Sequence, residues 1–200
     1  KAMEHPYGIA LGPDGYIYVS SQDTFTVLRF QLDGSPGPRP KAIKKEDTSK
    51  KMAGAFVVFP AGEDVRGITF DEKGTLYVSN KVHGVMMFDR DGFQIGLIEV
   101  EKPIGLLYST ERESVFIGST QGHHSQVLEY NVHDHTLKAT YHAKGYLNHP
   151  AGMVVYKDTL YAVSQSDGTI IEFNLNKGKY KRTVNGDLPD IGEHLLLSMC

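Results

Sequence analysis

The chain has a single cysteine, Cys200, and no tryptophan in 200 residues. A lone thiol forms no internal disulfide, so nothing in the cysteine content staples the fold or points to an oxidising compartment. No apolar run reaches the ~20 residues that a membrane helix requires, and no membrane partner is expected. An excess of one charge is also lacking. Lys and Arg total 21 against 24 Asp and Glu, a net charge of -3. A phosphate backbone is bound through a concentrated basic face, so nucleic acid is not an expected partner. The 40% hydrophobic and 22% charged content is that of a globular domain.

What is present is repetition. Four openings share one plan: Pro6-Tyr7-Gly8-Ile9-Ala10-Leu11, Val65-Arg66-Gly67-Ile68-Thr69-Phe70, Pro103-Ile104-Gly105-Leu106-Leu107-Tyr108 and Pro150-Ala151-Gly152-Met153-Val154-Val155. After each come a polar turn, a strand ending in a small polar residue, and another apolar strand. The four glycines lie 59, 38 and 47 residues apart. A period of roughly 40 residues made only of strands marks a β-propeller blade. Inner strands converge on an axis, and a residue without Cβ lets their backbones approach.

The expected strands of blade one are Gly8–Leu11, Tyr16–Ser20, Thr26–Phe30 and Ala55–Phe59. Those of blade two are Gly67–Phe70, Thr75–Ser79, Gly84–Phe88 and Gln94–Val100. Blade three has Gly105–Tyr108, Ser114–Gly118, Gln126–Tyr130 and Leu137–Tyr141. Blade four has Gly152–Val155, Thr159–Val163, Thr169–Phe173 and Tyr180–Val184. The blades span about 5–60, 65–101, 103–142 and 149–185, with a fifth opening at 193–200. The fold class is all-β, a single propeller segment of four-stranded antiparallel blades.

These residues resemble NHL-type repeats. Blade one carries Pro6-Tyr7-Gly8-Ile9-Ala10, Pro13-Asp14-Gly15, Ile17-Tyr18-Val19-Ser20 and Val27-Leu28-Arg29-Phe30. Blade two carries Arg66-Gly67-Ile68, Asp71-Glu72-Lys73-Gly74, Leu76-Tyr77-Val78-Ser79 and Val85-Met86-Met87-Phe88. Blade four keeps Pro150, Gly152, Leu160-Tyr161-Ala162-Val163-Ser164 and Ile171-Glu172-Phe173. Blade three departs furthest, and the family's Asn-x-Arg-Ile in the third strand is replaced by Thr24-Phe25-Thr26-Val27. The absence of tryptophan argues against WD-type repeats. The resemblance implies a ring of five or six blades. The four blades and one opening strand are therefore expected to belong to a longer chain, or to be completed by a partner, since open strand edges invite pairing.

In a four-stranded meander the loops between strands two and three share a face with the blade-to-blade connections. Four such loops fall at equivalent places: 20–24, 79–83, 119–124 and 164–167. Their hydrogen-bonding side chains are the candidate binding rim: Gln22, Asp23, Asn80, His83, Gln121, His123, Gln165 and Asp167. Stacked around an axis, such loops suit a protein or a small polar ligand. They are also what ordinary solvated turns look like.

His5 and His149 occupy one repeat position, just before Pro6 and Pro150, and His194 opens the fifth repeat. Imidazoles from different blades can share a divalent metal such as Zn²⁺, which takes three or four N, S or O ligands. These three are the metal candidates, although no ligand-spacing motif accompanies them and no cofactor is required by the pattern. The peptide-amidating lyases look similar in fold and carry zinc-binding histidines where this chain has Gly8, Gly67, Gly105 and Gly152. Only His194 fits their pattern. Hydrolytic propellers of the gluconolactonase type also resemble this architecture and hold a divalent cation with Glu, Asn and Asp. No acidic residue lies on the four inner strands here, which leaves Asn80 and Asp167 in the loops as oxygen donors.

One insertion, 35–54, interrupts blade one. Arg39, Lys41, Lys44, Lys45, Lys50 and Lys51 outweigh Glu46 and Asp47, so it carries +4 and the rest of the chain -7. Its proline-rich start and charged body predict a mobile segment. The function expected is a non-catalytic scaffold binding a protein or small polar ligand at the rim. The alternative is a metal-dependent hydrolase or lyase with part of its site in further blades.

Overall fold

The computed structural model describes residues 3–44, 53–121 and 124–184. Among the described residues sixteen strands form four antiparallel sheets, each paired in simple sequence order. The chain divides into two compact units, residues 1–100 and 101–200.

In the first unit, β1 (Pro6–Leu11), β2 (Ile17–Ser21), β3 (Thr26–Phe30) and β4 (Ala55–Val58) make one sheet. Next come β5 (Val65–Phe70), β6 (Leu76–Asn80), β7 (Gly84–Phe88) and β8 (Gln94–Ile98). The hairpin turns follow from their residues. Gly15 sits at φ 80° and donates its N–H to the Gly12 carbonyl at 2.9 Å, a conformation that glycine adopts without Cβ strain. Asp71 fixes the matching turn of the second sheet, accepting from the N–H groups of Lys73 and Thr75 at 2.9 and 2.8 Å.

Tyr18, Val27, Phe56, Phe59, Ile68, Leu76 and Phe88 pack between the two sheets. Tyr18 meets Phe56 and Phe70 edge-on, with centroids 5.0 and 4.8 Å apart, the arrangement that ring quadrupoles favour. β1 and β5 run close. A Cβ on Gly8 would lie 2.8 Å from the Arg66 carbonyl oxygen. Ser20 Oγ accepts from the Gly8 N–H at 2.7 Å and donates to the Arg66 carbonyl at 2.5 Å, linking the two blades.

The second unit repeats the plan. β9 (Pro103–Ser109), β10 (Ser114–Gln121), β11 (His124–Asn131) and β12 (Leu137–His142) form one sheet. β13 (Pro150–Tyr156), β14 (Thr159–Ser164), β15 (Thr169–Asn174) and β16 (Lys179–Val184) form the other. Phe116, Val127, Tyr141, Met153, Leu160, Ile171 and Phe173 fill the space between them. Here the inner strands are closer still, and a Cβ on Gly105 would overlap the Ala151 carbonyl oxygen at 1.6 Å. In all four blades the inner strand is bulged where its glycine lies, which re-aims the strand at the point of closest approach.

The start of the insertion lies against the first two sheets. Pro36 bridges to Phe30, and the Gly37 N–H donates to the Arg29 carbonyl at 2.8 Å. The Arg29 guanidinium donates to the Pro38 carbonyl. Pro40 is buried, and the Ala42 N–H reaches the Asp91 carbonyl at 2.9 Å while Lys41 pairs with the Asp91 carboxylate. Residues 36–42 are thus held by the bridge at Pro36, by the backbone N–H groups of Gly37 and Ala42, and by the Arg29 and Lys41 side chains. Residues 45–52 lie outside the described residues, as does the expected fifth opening.

Candidate functional site

The His-Pro repeat position has a backbone role. The residue before each inner strand offers its carbonyl to an N–H just after β2, β6 or β14 or near the end of β10. His5 accepts from Gln22 at 3.0 Å, Asp64 from Lys81 at 3.0 Å, Lys102 from Thr120 at 3.3 Å and His149 from Gln165 at 3.2 Å. His5, Lys102 and His149 take left-handed φ values of 52°, 43° and 58° to do so. These are the three positions followed by proline, where the ordinary right-handed α region is disfavoured. The imidazoles are thus carried by a closure shared with a lysine. Among the described residues no three His, Cys, Asp or Glu side chains come together as a metal cluster. His194 lies outside the described residues.

The rim candidates of the first unit are largely engaged by their own loops. Asn80 is fully buried. Its Oδ1 accepts from the N–H groups of Val82 and His83 at 2.9 and 3.0 Å, and its Nδ2 donates to Glu63 Oε2 at 2.9 Å. Glu63 Oε1 in turn lies 3.0 Å from His83 Nε2. Asn80 therefore shapes the turn, and Glu63, which the sequence pattern does not single out, orients the half-exposed His83 ring. Asp23 is exposed, with His5 Nδ1 3.6 Å from its Oδ1. Gln22 is half-buried, and its N–H serves the loop closure.

In the second unit one rim candidate, Asp167, borders open space. Gln121 ends β10 opposite His124, and His123 lies outside the described residues. Gln165–Asp167 form one 3-10 turn, closed by Gly168 in the left-handed region. Ser164 Oγ donates to Asp167 Oδ2 at 2.6 Å and accepts from the Asn148 N–H at 2.7 Å. This ties the β14–β15 loop to the connector between the two sheets.

That connector, residues 143–149, divides two clefts. The Tyr146 and Leu147 N–H groups both donate to the Ala143 carbonyl, at 2.9 and 3.0 Å, and fold it into a tight turn. One cleft, about 470 Å³, is bounded by Tyr146, Asp167, Thr169, Tyr180, Arg182 and Thr183. Tyr146 stacks on Tyr180 at 5.2 Å with the rings 7° from parallel, and Tyr146 remains half exposed. The other, about 380 Å³, is bounded by His124, Ser125, Gln126, His142, Lys144 and Leu147. Both volumes lie in the range of small-molecule sites. Of the rim candidates among the described residues, Asp167 alone lines either one. Tyr146 and Lys144 were missed because a connector carries no periodic signal, and Tyr180, on an expected strand, because its stacking partner lies outside that strand.

Solved structures settle the architecture. Hydrazine synthase of Kuenenia stuttgartiensis superposes with a TM-score of 0.67 at 16% identity, over 92% of this chain and 49% of that one. A gluconolactonase of Xanthomonas campestris gives 0.67 at 15% identity, over 94% and 64%. The fold class is β-propeller. A chain of a nidogen/laminin complex is similar as well, with a TM-score of 0.59 at 12% identity over 96% and 84%. The propeller segment thus spans about half of the hydrazine synthase chain and under two thirds of the gluconolactonase. No protein-family model matches the chain, and no curated protein matches its sequence. Such identities carry the fold alone.

Proposed function

We propose that this NHL-like propeller is a non-catalytic scaffold that binds a small polar ligand on its loop rim. The observation that carries the reading is the pair of clefts flanking the 143–149 connector. One of them combines a stacked tyrosine pair with Asp167 and Arg182. An exposed aromatic face beside charged hydrogen-bonding groups suits a saccharide or a short polar peptide, whose apolar faces stack while hydroxyls or amides are read at the edge. Tyr146 presents that face at 54% exposure, an arrangement a mere core contact would not need.

The test is a panel of neutral saccharides and short peptides titrated into the ¹⁵N-labelled chain. Saturable shifts are expected at Tyr146, Asp167 and Thr169, and are expected to vanish in Tyr146→Ala and Asp167→Ala. Mass analysis of the recovered ligand checks catalysis. Turnover that depends on an added divalent cation would replace this reading with the hydrolase or lyase alternative. A panel with no binder at these residues would reject the reading.

A further inference from the structure

We propose that the 380 Å³ cavity on the other side of the connector is a phosphate site, and that the ligand is a small molecule carrying a phosphate group. This rests on the ligand-binding reading above and adds a charge to it. The cavity wall brings together two imidazoles, an ammonium, a hydroxyl and an amide: His124, His142, Lys144, Ser125 and Gln126. Among the described residues no carboxylate lines it.

The placement is fixed by the ladder. Gln126 is paired directly with His142 across β11 and β12, so their side chains leave the same face. His124 precedes Gln126 by two residues on β11 and so shares that face. Lys144 follows His142 by two, at the start of the tight Ala143–Leu147 turn. Ser125 Oγ is held in position, accepting the His149 N–H at 3.1 Å, with Thr120 Oγ1 3.2 Å away. Buried Ala143 and Leu147 give the cavity an apolar floor, which strengthens any charge interaction above it.

The donor set selects the anion. A planar carboxylate is best gripped by the arginine fork, and among the described residues no arginine lines this cavity. Ammonium and imidazole N–H groups act as separate point donors, and a tetrahedral oxyanion can accept from several such donors at once. Gly145 borders both this cavity and the tyrosine cleft. A phosphate held here would leave the neutral body of the same molecule beside Tyr146.

The experiment titrates the ¹⁵N-labelled full chain with inorganic phosphate and, separately, with glucose 6-phosphate, at fixed pH and ionic strength. Saturable shifts are expected at Ser125, Gln126 and Lys144. Lys144→Met should weaken binding about ten-fold, the loss of one charge-assisted hydrogen bond. His142→Gln should weaken it less, and Lys81→Met in the first unit should leave it unchanged. Lys144 and His142 are exposed, so these variants should fold as the parent does. Equal affinity for the two probes means the cavity reads the oxyanion alone, and tighter glucose 6-phosphate means the sugar body is engaged too. Both outcomes support the site. Absence of saturable shifts up to about 20 mM, or shifts indifferent to Lys144→Met, overturn it. Neutral saccharides that still shift Tyr146 and Asp167 in that event would leave the broader ligand-binding reading standing.

Discussion

The two units solve one problem with opposite charges. In each blade the third strand ends apolar-apolar-x-aromatic, and the x side chain is buried: Arg29 and Met87 in the first unit, Glu129 and Glu172 in the second. A buried charge must be paired and hydrogen-bonded or it is expelled. Arg29 meets that demand with Asp14 at 3.5 Å, the rings of Tyr16 and Phe56 at 5.1 and 4.9 Å, and the Pro38 carbonyl of the insertion. Glu129 is clasped by Arg112 through two bonds of 2.9 and 3.2 Å, by Ser114 at 3.0 Å and by Tyr141 at 2.5 Å. Glu172 draws on Lys181 and Arg182 of the outer strand, at 3.0 and 2.8 Å. Met87 needs no polar partner and packs on Gly96, where a Cβ would lie 2.2 Å from its Cε. The slot is common to all four blades, and its occupant decides what each outer strand must supply.

The inner strands offer the sharpest way to break the comparison. Gly105 faces the Ala151 carbonyl with no room for a Cβ, whereas Gly8 leaves 2.8 Å to the Arg66 carbonyl. Gly105→Ala should therefore lose more than about 3 kcal/mol, because backbone rather than a flexible side chain must move. Gly8→Ala should lose about 1–3 kcal/mol. Denaturant unfolding of the two variants checks the order. Equal losses would mean that the inner strands of the two units are equally close.

Glu129 comes next. Glu129→Ala strands the Arg112 guanidinium and the Tyr141 hydroxyl, and breaking such a pair from one side destabilises by about 3–5 kcal/mol. Borrowing the solution of blade two, Glu129→Met with Arg112→Met should recover most of that loss. Denaturant midpoints of the single and double variants measure the coupling.

Acid should separate the glutamates from Arg29. Burial alone would raise the Glu129 carboxyl, but the Arg112 and Tyr141 hydrogen bonds outweigh it and hold the carboxyl below the usual glutamate range. The Arg182 hydrogen bond, with Lys181 assisting, holds Glu172 below that range too, against the opposing effect of burial. A carboxyl depressed in the folded state stabilises above its unfolded value of about 4.3, and that contribution is lost as pH falls through the folded value. The stability gap between parent and Glu172→Gln, measured by urea unfolding, should be full at pH 6 and shrink below about pH 4. A gap that stays constant from pH 6 to pH 3 would sever Glu172 from acid sensitivity.

Much of this was legible in residue types. Thr26–Phe30 and Gly84–Phe88 are strands over the expected spans, because β-branched and aromatic runs between glycine turns leave little choice. The glycine register foretold close inner strands. What period-two alternation cannot convey is which neighbour a face meets. Asn80 reads as a rim donor until Glu63, 17 residues upstream, is seen to take its amide. The left-handed turn that His5 and His149 share with Lys102 is likewise invisible in the residue pattern. The tyrosine cleft joins Tyr146 to Tyr180 across a whole blade, a distance at which local pattern is silent.

The gentlest change sharpens the comparison most. Arg29→Met gives blade one the occupant of blade two. The ion pair lost is with Asp14, which is 34% exposed and keeps the Tyr18 hydroxyl at 2.7 Å, so no buried charge is orphaned. Asp14 stays partly solvated, so losing this pair from one side should cost little, and the global stability should move by less than about 1.5 kcal/mol. The local effect should be larger than the global one, because the guanidinium is the side chain that holds the Pro38 carbonyl. Limited proteolysis at Arg39 and Lys41 should quicken several-fold in Arg29→Met, while Lys41→Ala, which removes only the exposed pair with Asp91, should leave cleavage at Arg39 nearly unchanged. Unaltered cleavage in Arg29→Met would mean that the backbone bonds of Gly37 and Ala42 suffice to hold the strap, and that Arg29 is buried for the aromatic rings alone.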